Sequence, residues 1–381
     1  MKICIIVGDA VGGIRKHVHD ILAAAPNGVA LLYIHSEVFD ATALQDFSHF
    51  KPSVIDRLKL NIKKNPAVSD LLNIFTIWCT CRRSDVDVLH GHGAKGGLYA
   101  RIVGYLIGKP VIYTPHGGSV HSQFGKMKSL IFAATEYLLK FITTLFVFES
   151  QYTQVSFRKL AGKISNEREV VIYNGIYLDS LCSRKGWRSN MSHNVRLLTI
   201  GQLRTLKGQD IVINATAILK ARGWNVSLDL CGGGRERDRL ELLAVSLEIG
   251  ELVQFHGDVS EVRPFYEGCD IVVIPSRFES FGYVAVEAAL MGRPIVASAT
   301  GGLLETVIDG ETGLCFATGS AAALADAVEE TLTNVGATQE RIKAARARAV
   351  ALFDVNAMTV QLYSIYRQLA SCKSCVCNNR L

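Results

Sequence analysis

Proline is scarce in this chain, at 8 of 381 residues beside 33 glycines. No segment is compositionally simple, which excludes a collagen-like or proline-rich extended molecule. An unbroken apolar run long enough to cross a bilayer is also missing. The strongest candidate, SLIFAATEYLLKFITTLFVF at 129–148, is interrupted by Glu136 and Lys140. Their i,i+4 spacing suits a pair on a helix surface, so the stretch reads as a helix followed by a core strand, TLFVFES. A signal peptide is not expected either, because the apolar run of MKICIIVGDA stops at Gly8 and reads as a buried strand. The ten cysteines are scattered, several inside apolar runs such as those of Cys4 and Cys269. That excludes a secreted disulfide framework and favours a reducing cytosol. Cys372, Cys375 and Cys377 close the chain without an obvious fourth ligand, so an inert terminus is expected there and no metal. Nucleic-acid motifs and basic-aromatic arrays are lacking, and no nucleic-acid partner is expected.

What the chain does have is apolar bulk, at 49% hydrophobic residues, enough for two domains with separate cores. The net charge of +6 is uneven. Residues 1–190 carry 23 Lys+Arg against 14 Asp+Glu, and residues 191–381 carry 18 against 21, so +9 and −3 sum to +6. Only the first half is therefore expected to meet an anionic partner.

Apolar strand-like runs alternate with amphipathic helical ones. In the first half the runs are KICIIV, VALLYI, VDVLHGH, PVIYTPH, TLFVFES and EVVIYN; in the second they are VRLLTIG, VSLDLCG, LVQFHG, DIVVIPS and PIVAS. Val/Ile/Leu strands separated by helices predict an α/β chain of two tandem Rossmann-like domains with parallel sheets facing across a cleft. The pattern pauses in the polar, basic stretch 179–194 and restarts at VRLLTIG. The expected organisation is a first domain at 1–180, a linker at 181–194 and a second domain at 195–355. A last helix at 356–370 is free to pack on either domain. Ligands of such sheets bind beyond the carboxyl ends of the strands.

Several loops at those ends carry chemistry. GDAVGGI holds Gly8, Gly12 and Gly13 before a helix expected near Arg15, and bare backbone amides there suit a phosphate or sugar. The spacing departs from G-x-G-x-x-G, so a dinucleotide fold is disfavoured. His90, His92, His116 and His121 sit on adjacent strand-end loops and are expected to cluster. Asp85-Val86-Asp87 precedes its strand and reads as solvated polar residues. Arg204 and Lys207 stand at a strand-to-helix turn where cations meet phosphates. Gly232–Gly234 end another strand and suit close backbone approach to a ligand.

RFESFGYVAVEAALMGRPIVAS, residues 277–298, is the most informative stretch. A strand ends at SRFES, and Ser280-Phe281-Gly282 opens a helix whose orphan amides make an anion site. Glu279 stands before that site and Glu287 lies two turns inside. Eight residues turn a helix by roughly 800°, about 80° past two full turns, so the carboxylates suit different parts of one extended ligand. A diphosphate at the helix start with hydroxylated rings on either side describes a nucleotide-sugar.

E-S-F-G-Y-V-A-V-E with G-R-P-I-V after it resembles the E-x7-E signature of retaining GT-B glycosyltransferases, specifically glycosyltransferase family 4. The resemblance extends through GDAVGGIRKHV, GHGAKGGLYAR, YTPHGG, FESQYT, VIYNGIY, GQLRTLKG, CGGGRERDRL, VQFHGDVSEV and GGLLETVIDGETGLCF. It implies that Glu279 lies by the donor sugar, Glu287 holds the ribose hydroxyls, and Gly282, Tyr283 and Lys207 meet the diphosphate. Gly13 would lie under the diphosphate from the opposite domain, and His116 by the sugar's reactive centre. Gly233 is grouped with the donor-binding residues. Asn174-Gly175 matches the family's turn before the interdomain linker. The family usually has Arg immediately after the glycine equivalent to Gly201; here Gln202 stands there, and Arg204 is expected to supply the charge. The resemblance further implies front-face displacement without a metal or cofactor, the leaving diphosphate taking the acceptor proton.

The basic stretch 51–72 suits an amphipathic helix on an anionic surface, with Lys126 and Lys128 adding to it. The expected partners are a nucleotide-sugar, a saccharide or lipid-linked acceptor and an anionic membrane; the expected setting is cytoplasmic, peripheral on the inner face of the plasma membrane, in cell-envelope polysaccharide or glycolipid synthesis. The rival readings are a nucleotide-sugar 2-epimerase and a non-catalytic nucleotide-sugar-binding subunit.

Overall fold

The computed structural model describes residues 1–8, 12–36, 55–63, 65–117, 126–181, 186–187 and 195–372. His121, Cys182, Cys375, Cys377 and the side chains of Lys126 and Lys128 lie outside the described residues. The chain divides into two compact units, Met1–Tyr173 with Asn356–Leu381, and Asn174–Val355.

The first unit comprises β1 (Lys2–Val7), α1 (Gly13–Ala23), β2 (Ala30–Ser36), β3 (Ile55–Leu60), α2 (Ser69–Arg83), β4 (Val88–His92) and α3 (Gly93–Ile107). It continues through β5 (Val111–Thr114), α4 (Lys126–Leu139), β6 (Leu145–Phe148), α5 (Gln151–Ala161) and β7 (Glu169–Val171). Its sheet runs β3-β2-β1-β4-β5-β6-β7, every pairing parallel. The strand order reverses between β1 and β4, and α1 and α3 begin beyond those strands' carboxyl ends, where doubly wound sheets bind their ligands. Helix α3 lies very close to β1: a Cβ on Gly96 would stand 2.3 Å from the Ile6 carbonyl oxygen. Glycine is required there for the helix and sheet to approach. Cys4, Ile6, Leu32, Leu89, Tyr99 and Val103 fill the core on that side.

The second unit comprises β8 (Val195–Ile200), α6 (Gln209–Ala221), β9 (Val226–Cys231), α7 (Arg237–Ser246), β10 (Val253–Gly257), α8 (Arg263–Gly268) and β11 (Ile271–Ile274). It ends with α9 (Tyr283–Leu290), β12 (Ile295–Ser298), α10 (Leu303–Thr306), β13 (Leu314–Phe316), α11 (Ala321–Thr333) and α12 (Val335–Leu352). Its parallel sheet runs β10-β9-β8-β11-β12-β13, reversing between β8 and β11. In α6 the buried Ile211, Val212, Ala215 and Leu219 recur at helical spacing and pack on Leu197, Leu228 and Val273.

The final helix, α13 (Val355–Ser371), returns the chain to the first unit. The Tyr363 hydroxyl donates to the Ile21 carbonyl at 2.7 Å, and the Tyr366 hydroxyl pairs with His90 Nδ1 at 2.7 Å. The Asn174-Gly175 turn lies beside the last residue of the second unit, where a Cβ on Gly175 would fall 2.3 Å from the Val355 Cα. Trp187, inside the stretch read as a linker, is buried and donates to the Asp270 carbonyl at 2.8 Å.

Two readings need correction. The basic stretch 51–72 is not one amphipathic helix: Ile55–Leu60 forms β3 at the sheet edge, and α2 begins only at Ser69. A parallel partner in β2 outweighs the weak helical pattern of so polar a segment. Glu136 and Lys140 do not form a surface pair. Glu136 is buried and accepts from Arg101 Nη1 at 2.6 Å and the Tyr113 hydroxyl at 3.0 Å, while Lys140 donates to the Ala161 carbonyl at 2.8 Å. The stretch 129–148 otherwise folds as α4, a short 3-10 turn and β6. Among the described residues no helix is long and apolar enough to cross a membrane.

Candidate functional site

The second unit gathers its polar side chains where β8 and β11 end. Lys207, in the turn after β8, places Nζ 2.5 Å from Glu279 Oε2, in the loop after β11. Ser276 Oγ lies 3.5 Å from the same carboxylate oxygen. The two loops are fastened together by Arg277, which donates to both carboxylate oxygens of Asp210 at 2.7 Å and to the Thr205 carbonyl at 3.0 Å. Burial alone would raise the Asp210 carboxyl, but the Arg277 guanidinium outweighs it and holds that group below the usual carboxylate range.

Gly282 caps α9 with φ 103°, a conformation that side chains resist, and a Cβ there would meet Leu303 Cδ2 at 2.7 Å. Tyr283 is the first residue of the helix. The helix dipole makes that start a site for negative charge. Glu287, on the same helix, accepts from the Tyr266 hydroxyl at 2.9 Å. Tyr266 is buried, and burial first, with Glu287 adding to it, pushes its hydroxyl well above the usual tyrosine range. Gln202 is exposed, and Arg204 Nη1 lies 3.4 Å from its Oε1. The Gly233 amide donates to Asp258 Oδ1 at 2.7 Å. Lys207 and Glu279 are thus brought into contact, and Glu287 is held separately on the helix that Gly282 opens.

The first unit holds the other expected residues. Helix α1 begins at Gly13 rather than near Arg15, with Gly12 as its N-cap. Of the histidines expected to cluster, His90, His92 and His116 do so, all buried, and His17, which sequence reasoning did not include, joins them. His90 is occupied by Tyr366 and by Thr114 Oγ1 at 2.9 Å. His92 Nδ1 lies 3.0 Å from His116 Nε2, and His116 Nδ1 lies 2.8 Å from Glu149 Oε2. Burial, reinforced by neighbouring histidines, lowers His90 and His92 well below the ordinary histidine range and takes His17 down to about 3. These rings are therefore neutral near pH 7. His17, His92 and His116 each offer a ring nitrogen within 4.8 Å of the others, a spacing that would serve one metal ion. As folded, the contact between His92 and His116 is a hydrogen bond, with a proton shared by two of the three.

Asp87 accepts from the Lys2 amide at 2.7 Å, and Asp85 lies exposed beside Lys109, as solvated residues before β4 should. Sequence reasoning missed Arg277, Asp210, Tyr266 and Glu149. Two of them lay inside motifs already singled out, Arg277 at the head of RFESFG and Glu149 in FESQYT.

Two doubly wound parallel sheets, each presenting its polar loops at the carboxyl ends of its strands, define a protein of the GT-B class. The Anabaena protein HepE, solved with UDP-glucose, shares that fold at a TM-score of 0.81 and 23% identity, over 97% of this chain and 100% of that one. The family model described as Glycosyltransferase Family 4 matches residues 11–180, and that described as Glycosyl transferases group 1 matches residues 186–348. The chain belongs to glycosyltransferase family 4. Among characterised relatives, the glycogen synthase of Mycobacterium tuberculosis is 37% identical over 172 residues. That match spans 44% of this chain and 42% of the relative's length. The uncharacterized glycosyltransferase MJ1178 of Methanocaldococcus jannaschii is 27% identical over 311 residues, 80% of each chain.

Proposed function

We propose that the protein is a retaining, metal-independent glycosyltransferase that moves a hexose from a nucleotide-diphosphate sugar to a saccharide or lipid-linked acceptor. The observation that carries this reading is the Lys207–Glu279 pair beside the opening of α9. A cation, a carboxylate and a helix N-terminus in one place suit a sugar diphosphate: the cation and the helix start for the phosphates, the carboxylate for the sugar hydroxyls.

In this mechanism the anomeric carbon–oxygen bond breaks toward the diphosphate, and negative charge grows on the leaving oxygen. Lys207, Arg204 and the amides of Gly282 and Tyr283 stabilise that charge. The acceptor hydroxyl attacks the face the diphosphate leaves, and its proton passes to the departing phosphate. Glu279 orients the sugar, Glu287 the ribose, and Gly233 belongs to the same donor site. Gly13 approaches the diphosphate and His116 the sugar. The UDP-glucose held by HepE makes uridine sugars the first donors to try.

The acceptor belongs to cell-envelope synthesis at an anionic membrane in this proposal. Helix α4 and the turn after it expose Leu130 at 70%, Leu138 at 66% and Phe141 at 54%, in the half of the chain that carries +9. Apolar anchors in a basic surface are what an anionic bilayer binds. Pelleting with anionic vesicles and not with neutral ones supports this; equal pelleting with both removes it.

A thermal-shift panel of UDP-, GDP- and ADP-glucose, followed by hydrolysis rates for wild type, Lys207→Ala and Glu279→Ala, tests the reaction. Stabilisation by one base and loss of turnover in both variants are expected. Undiminished turnover in both variants rejects the site.

A further inference from the structure

His116 combines a constrained backbone with an anchored side chain. Its φ is 51°, in the left-handed region, and Gly117 follows at 68°. The other non-glycine residues of positive φ among those described, Asp85 and Glu248, are exposed and follow helix ends, where this conformation is ordinary. His116 is buried in a loop leaving β5. Such a conformation is strained for a residue with a side chain and persists only where its surroundings hold it.

Those surroundings are Glu149 and His92. A carboxylate only accepts, so His116 Nδ1 carries the proton given to Glu149 Oε2 at 2.8 Å. His116 Nε2 lies 3.0 Å from His92 Nδ1, so this nitrogen too is engaged, whichever of the two rings carries the proton between them. His17 closes the ring's remaining side, edge-on at 5.1 Å. Both nitrogens of the His116 imidazole are therefore engaged within the protein, and neither is left for a sugar hydroxyl.

We infer that Glu149 and His92 are positioning residues that grip His116 by both ring nitrogens, and that a sugar meets the peptide groups of His116 and Gly117 rather than the imidazole. This deepens the proposed function and rests on its placing of the β5 loop beside the donor sugar. The imidazole is then an anchor. It holds a left-handed turn in a single orientation, so the peptide dipoles need no rearrangement as charge develops at the sugar.

The test uses the full chain and hydrolysis of whichever of UDP-, GDP- and ADP-glucose is turned over fastest. Glu149→Ala and His92→Ala should each lower kcat at least tenfold while KM for the donor stays within threefold. Glu149→Gln should recover to within threefold of wild type with an unchanged pH profile, because its amide oxygen still accepts from Nδ1–H. Should Glu149→Ala fail to fold, His116→Asn against His116→Ala decides. Asn tolerates the left-handed backbone, so it should retain at least tenfold more kcat than Ala. Glu149→Gln as impaired as Glu149→Ala would show that charge acts through a protonated ring and would overturn the inference. So would wild-type kcat in both alanine variants, or equal loss in His116→Asn and His116→Ala. A wild type that turns over no nucleotide-sugar sinks the proposed function and this inference together. An active wild type indifferent to Glu149→Ala and His92→Ala sinks only this one.

Discussion

Arg277 grips Asp210 through two 2.7 Å hydrogen bonds, and this clasp ties the loop bearing Glu279 to the helix that follows the Lys207 turn. A lysine cannot reproduce a two-pronged contact. Arg277→Lys should lower affinity for the nucleotide-sugar about tenfold, equivalent to about 1.4 kcal/mol. Isothermal titration against the donor chosen by thermal shift checks it; unchanged affinity would show that the clasp does not set the spacing of Lys207 and Glu279.

Gly282→Ala should be among the most damaging single-methyl changes in the second unit. The added carbon meets Leu303 at 2.7 Å, and the backbone sits at φ 103°. Strain and overpacking together predict a loss of about 2–4 kcal/mol. Urea denaturation measures it, and a loss below about 1 kcal/mol would mean that the loop relaxes freely.

Tyr266→Phe removes the hydroxyl that holds Glu287 and little else. The Glu287 carboxylate then loses its 2.9 Å partner. Nucleoside binding should weaken by about threefold to tenfold, the worth of one ordinary hydrogen bond. A comparison of UDP with inorganic pyrophosphate locates the effect: a ribose contact predicts that only the nucleotide suffers.

Asp20 and His17 stand one turn apart on α1, both buried. Burial raises Asp20 to about 7 and lowers His17 to about 3. Between about pH 4 and 7 the unfolded chain has lost the Asp20 proton that the folded chain keeps, so this group's contribution falls as pH rises. Between about pH 6.5 and 3 the unfolded chain takes up a His17 proton that the folded chain refuses, so that contribution falls as pH drops. The two slopes oppose each other between about pH 4 and 6.5. Asp20→Asn should therefore be more stable than wild type at pH 8 and lose stability more steeply on acidification. Melting temperatures from pH 4 to 8 read out both effects, and parallel curves for the two proteins would contradict them.

The alternation of apolar strands with helices made both sheets legible, because a strand buried on two faces must be apolar nearly throughout. IDRLKL escaped because an edge strand is half solvated, so its Lys and Arg look like a helix face. The three residues of β13 carry too little periodicity to register. Lys207, Gly282, Glu279 and Glu287 could be singled out because their chemistry is unusual at those positions. Their supports could not. Arg277 finds Asp210 across 67 residues, and Arg101 finds Glu136 across 35; such pairings are created by the fold, and local spacing carries no record of them.

The first unit includes the last helix of the chain, where Tyr366 meets His90 and Tyr363 meets Ile21. During synthesis the ribosome must make residues 174–355 before that helix exists. At ordinary elongation rates this is a delay of about 10–40 s. For that interval the nascent amino-terminal half waits with the histidine cluster uncovered on its Tyr366 side, until that helix emerges to seal it.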